Sequence, residues 1–119
     1  MRDFRELLVW EKAHRLALDV HEATRDFPGE ERFGISAQVR RAAVSIASNI
    51  AEGCGRDGEC ELARYLVIAG GSTSEVEYQL LLARDLGYLP ESTHRKLDTQ
   101  ANELKKMLNA FVQKLTANG

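Results

Sequence analysis

Ile35-Ser36-Ala37-Gln38-Val39-Arg40-Arg41-Ala42-Ala43-Val44-Ser45-Ile46-Ala47-Ser48-Asn49-Ile50-Ala51-Glu52 is the most telling run in the chain. Ile35, Val39, Ala42, Ala43, Ile46 and Ile50 recur at steps of three and four, which marks one helix face turned to a core. Ala42, Ala43, Ser45, Ala47, Ser48 and Ala51 add a set of small side chains. Small side chains let backbones approach closely, so this helix is expected to touch more than one neighbour. Along its edge runs a polar row, Gln38, Arg41, Ser45, Asn49 and Glu52, at the same helical steps.

Outward from this run the chain breaks at three places: Phe27-Pro28-Gly29, Glu52-Gly53-Cys54-Gly55-Arg56-Asp57-Gly58 and Gly87-Tyr88-Leu89-Pro90. Pro fixes its own dihedral and restricts its predecessor, and Gly permits left-handed caps. Four segments remain. The first, about Leu7 to Arg25, carries Val9, Ala13, Leu16, Ala17, Val20 and Ala23 on one face, with Phe27 set to plug an end of the core. The second is the quoted run. The third, about Glu59 to Leu86, shows Leu62, Leu66, Ala69, Val76, Leu80 and Ala83, with Asp57 as expected N-cap and Gly87 as C-terminal cap. Gly70-Gly71 interrupts it and reads as a close-packing point or kink, because each Gly costs about 1 kcal/mol against Ala inside a helix. The fourth, from Glu91 or Ser92 to about Leu115, repeats Leu97, Ala101, Leu104, Leu108, Phe111 and Leu115 in alternating steps of four and three, the heptad seam of left-handed bundle packing. No segment alternates with period two. The expected fold is all-α: an antiparallel up-down-up-down four-helix bundle, one domain over residues 1–119.

Composition bounds the function. With 44% hydrophobic and 29% charged residues the chain is not a disordered one, and 2 Cys exclude a disulfide-dense scaffold. No apolar run approaches the ~20 residues of a membrane span, and Met1-Arg2-Asp3-Phe4-Arg5-Glu6 lacks a signal peptide's apolar core. A cytoplasmic protein without a membrane partner is expected. The net charge of -2 argues against a binder held to nucleic acid by charge alone.

Candidate chemistry is sparse. Cys54 and Cys60 stand wider apart than the usual zinc pair, and His14 and His21 are seven apart rather than four. They read as reduced thiols and solvated histidines. Gly53-Cys54-Gly55 lacks the strand and third Gly of a dinucleotide loop, and Ser45, Ser48 and Ser72 lack a nucleophile-elbow context. No enzyme, cofactor or metal is expected.

The polar rows say more. Ser72, Glu75 and Gln79 line the third segment as Gln38, Arg41, Ser45, Asn49 and Glu52 line the second. Polar groups bordering an apolar face must pair, and an Arg–carboxylate pair is the usual means. One reading is an interhelical or intersubunit network that fixes register. The other is a recognition surface for an anionic partner such as RNA. The last segment is mildly basic, with Arg95, Lys96, Lys105, Lys106 and Lys114 against Glu91, Asp98 and Glu103. Candidate RNA contacts are therefore Arg40, Arg41, Arg56 and Arg64 around the middle helices, and Lys105, Lys106 and Lys114 on the last. A solvated helix face explains the same charges.

Phe4-Arg5-Glu6-Leu7-Leu8-Val9-Trp10-Glu11-Lys12-Ala13, then Phe27-Pro28, then Gly34 through Gly53, then Ala69-Gly70-Gly71-Ser72 with Glu75, and Ala83-Arg84-Asp85-Leu86-Gly87-Tyr88-Leu89 form one pattern. It closely resembles the four-helix-bundle proteins encoded in bacterial 23S rRNA intervening sequences, over nearly the whole chain. The resemblance implies a small antiparallel bundle that assembles into a homopentamer, and an RNA or ribonucleoprotein partner. Similar bundles serve as accessory proteins of diversity-generating retroelements, where a basic pentamer binds reverse transcriptase and RNA. The negative net charge departs from that relative. The family brings no catalytic residues. Two function classes follow: an oligomeric adaptor with an RNA-linked role, or a protein–protein scaffold without nucleic-acid contact.

Overall fold

A computed structural model of the protein describes residues 1–117. Four α-helices carry the chain: α1 Leu8–Ala23, α2 Ile35–Cys54, α3 Glu59–Asp85 and α4 Glu91–Thr116. Short 3-10 turns precede α1 at Phe4–Glu6 and α2 at Gly29–Glu31. No strand occurs among the described residues. The body measures 47 × 21 × 19 Å, and the 27-residue α3, at about 1.5 Å per residue, is about 40 Å long. Packing runs around a square: α1 on α2, α2 on α3, α3 on α4 and α4 back on α1, with no approach across either diagonal among the described residues. It is a four-helix bundle.

The apolar faces read from the sequence meet inside. Leu16, Val20, Val39, Ile46, Ile50, Leu66, Val76, Leu80, Ala101 and Leu104 are fully enclosed. Phe27 is buried at one end, its ring tilted against Tyr88 at 5.7 Å. At the other end the backbone N–H of Arg2 donates to the Cys54 carbonyl at 2.9 Å, and the Arg2 guanidinium lies over Phe111. This latch ties the chain's first residues to the end of α2 and to α4. The α3–α4 turn matches its sequence. Gly87 has φ 81°, its N–H donates to Arg84, and the Tyr88 N–H donates to Ala83, which together satisfy the last carbonyls of α3.

Two expectations on α3 need correction. Asp57 is not its N-cap. Gly58, at φ 88°, intervenes and takes that position, which leaves Asp57 one residue outside and exposed, and no side chain caps the helix. Gly70-Gly71 neither breaks α3 nor marks close packing within the chain. The helix is continuous, and a Cβ added at either position meets nothing within 4 Å. Gly70→Ala and Gly71→Ala should each therefore stabilise the protein, by up to about 1 kcal/mol, seen as a higher thermal midpoint. A loss of stability instead would mean that another chain touches this face.

Candidate functional site

The two polar rows lie on the flanks along which α2 and α3 pack. Their side chains frame a cleft of about 400 Å³ lined by Gln38, Arg41, Ala42, Ser45, Ser72, Glu75 and Gln79. Sequence reasoning named every one of these except Ala42 as polar-row members, and Ala42 as a core residue. The Ser45 and Ser72 hydroxyls bond each other across the helices at 2.9 Å. Asn49 Nδ2 donates to the Ser45 carbonyl at 2.8 Å and to its Oγ at 3.1 Å, which fixes the Ser45 side. Small side chains on both helices allow this approach. The same pair closes further at Gly53, where an added Cβ would lie 2.8 Å from the Tyr65 Cβ.

The cleft's charges are open. Arg41 and Glu75 are both exposed, and among the described residues neither has an ion-pair partner in the chain. Gln79 is buried, and its Oε1 receives no hydrogen bond among the described residues. Glu52, at the far end of the α2 row, does not reach the cleft. It pairs with Arg56, just past the end of α2, at 3.6 Å. Neither Ser45 nor Ser72 bonds to an imidazole or carboxylate, so no hydroxyl here is set up as a nucleophile.

The candidate RNA cations are scattered, and most are engaged. Arg40 Nε donates to Thr24 Oγ1 at 2.7 Å, bracing α2 against the end of α1. Arg56 donates to the Tyr65 hydroxyl at 3.0 Å. Arg64 grips Glu61 through two nitrogens and stacks over the Tyr65 ring. That hydrogen bond is the main cause that holds the Glu61 carboxyl below its ordinary value. Lys105 pairs with Glu77 on α3. Lys106 and Lys114 are exposed and make no ion pair among the described residues. Arg41 belongs to the cleft rather than to a basic patch.

Other groups stand as follows. Cys54 is buried, and that burial pushes its thiol up from the ordinary value, whereas Cys60 is exposed. His14 and His21 are at the surface, His14 stacked on Trp10 at 4.9 Å. No group of three His, Cys, Asp or Glu side chains could share a metal ion among the described residues. No helix there is long and apolar enough to cross a membrane. His94 went unnoticed in the sequence. It is 7% exposed, and its Nε2 has no partner among the described residues. The signal was present, since three residues before Leu97 is the next position of the heptad seam.

Bundle, cleft and dispersed surface charge together define a class: a small helical-bundle protein whose distinctive polar chemistry lies on the outside of two adjacent helices. The profile of the 23S rRNA-intervening sequence protein family matches residues 5–110, and the chain belongs to that family. A crystallised protein of unknown function from the S23 ribosomal protein family of Bacteroides thetaiotaomicron is similar in fold. Its TM-score is 0.82 at 23% sequence identity, over 89% of this chain and 96% of that one. None of the curated proteins matches the chain.

Proposed function

We propose that this protein is a non-enzymatic oligomeric adaptor with an RNA-linked role in the cytoplasm. Its bundle is up-down-up-down and antiparallel, and its copies associate, as a pentamer, through the outer surface of α2 and α3. The observation that carries this is the circumference of α3. Its inner side is buried, yet Val67 (60% exposed), Ile68 (41%) and Tyr78 (61%) stand on its outer side. Large apolar side chains left on the outside of a bundle helix mark an interaction surface. Val44 on α2, at 49%, is likewise uncovered. The antiparallel order is supported by contacts that rise along one helix and fall along the next, as Ser45–Ser72 and Gly53–Tyr65 do. The number five rests on the family resemblance, and the RNA link on a family named for 23S rRNA intervening sequences.

The scaffold reading has its own support. Arg40, Arg56, Arg64 and Lys105 all spend their polar heads on partners within the chain. Two measurements test the proposal. Light scattering at micromolar concentration should give five times the 13.3 kDa of one chain, and a monomer mass would overturn assembly. Fluorescence anisotropy with rRNA fragments at two salt concentrations should show binding that weakens by about 0.7 log units per phosphate contact per decade of salt. Lys114→Glu should flatten that dependence. No binding at low salt would leave the protein scaffold as the function.

A further inference from the structure

The α2–α3 cleft is lined by a side chain whose acceptor the described residues leave unmet. Gln79 is 9% exposed and lines the cleft, and no donor among the described residues reaches its Oε1. A buried amide oxygen without a donor is costly, and such atoms are few in folded proteins. The terminal amide torsion is soft, so a donor arriving at the cleft can draw the oxygen toward it. Arg41 on one bank and Glu75 on the other are also unmatched. One charge of each sign excludes a simple anion or a simple cation as the complement. The matching surface carries both signs and apolar side chains as well, because Val44, one turn from Arg41, and Ile68, one turn from Ser72, flank the cleft exposed.

This chain has such a surface on α4. Among the described residues Arg95, Lys96, Lys106 and Lys114 are exposed and without a carboxylate partner, and Glu103 is exposed and without a cation. The same copy's α4 cannot serve, because it packs on α3 and α1 and makes no approach to α2. We infer that the cleft is completed by α4 of a second copy, which inserts a cationic side chain between Glu75 and Gln79 and sets its Glu103 against Arg41. The inference rests on the oligomeric reading above and gives it a direction: the cleft of one copy meets α4 of the next. A contact between two different surfaces of one chain closes a ring when its rotation divides the circle.

Charge reversal tests the pairing. Glu75 is exposed, so Glu75→Lys should keep the helical circular dichroism of the wild type while raising the dissociation constant of assembly roughly thirtyfold or more in sedimentation equilibrium. Gln79→Leu, which removes the acceptor but keeps the bulk, should weaken assembly roughly fivefold. Tighter assembly in that variant would show that nothing reaches Oε1, and would overturn the acceptor's role. In the Glu75→Lys background, one of Arg95→Glu, Lys96→Glu, Lys106→Glu and Lys114→Glu should restore assembly, and that variant identifies the inserted cation. If none restores it, or if Glu75→Lys assembles like the wild type, the placement of α4 in the cleft is overturned while oligomerisation stands. A wild-type chain that sediments as a monomer overturns oligomerisation itself.

Discussion

Leu104→Ala is expected to lower the unfolding free energy by roughly 2–5 kcal/mol, the usual range for a buried Leu reduced to a methyl group. Leu104 is fully enclosed in the middle of the α4 seam, where α3 and α1 both pack on the helix. The lost methyl groups lose their contacts, and the surrounding helices, held from two sides, close the cavity only in part. Urea unfolding at one fixed protein concentration measures the loss, because association adds to apparent stability by mass action. Leu115 provides the control. It belongs to the same heptad pattern but is only partly buried. Leu115→Ala should cost well under half as much.

The second large effect concerns the closest approach of two helices. Gly53→Ala should destabilise by roughly 1–3 kcal/mol, although Ala is the better helix former. The new Cβ would lie 2.8 Å from the Tyr65 Cβ and 3.1 Å from Leu62 Cδ1. The first of these is a stiff contact that no rotamer change can relieve, so α2 and α3 must shift apart. Thermal unfolding would show the midpoint falling. The same substitution at Gly70 should raise it, since open space surrounds that position. Opposite signs for one chemical change on neighbouring helices would show that distance between backbones, rather than helix propensity, governs Gly53.

The helices were legible because their apolar spacing repeats. Val39, Ile46 and Ile50 on α2, and Leu97, Leu104 and Leu108 on α4, announce their burial by period alone. The cleft was legible in the same way, since polar side chains at helical steps on two consecutive segments meet when those segments pack. What stayed hidden depends on a third dimension that period does not encode. Asp57 has the right chemistry for a cap, but Gly58 moves it one residue out. Gly70 and Gly53 are the same residue type, and only the position of α2 distinguishes them. Arg40 reads as a surface cation until the end of α1 brings Thr24 to it, and Thr24 already donates to the Val20 carbonyl at 2.9 Å.

The square of helices also sets an order of events during synthesis. The α1–α2, α2–α3 and α3–α4 pairs join neighbours in the chain and can pack locally as each is completed. The fourth side is different. It joins α1 to α4, which is made well after it, and among the described residues Gln100 donating to Asp19 at 2.9 Å is the one side-chain bond between the two helices. While the ribosome is still producing residues 91–116, the flank of α1 that α4 will cover is bare, and the Arg2 latch has no Phe111 to rest on. Until α4 packs, the sides of α1 and α3 that it covers stay open. A chain with those apolar sides open is exposed to capture by chaperones or by a sister chain on the same message.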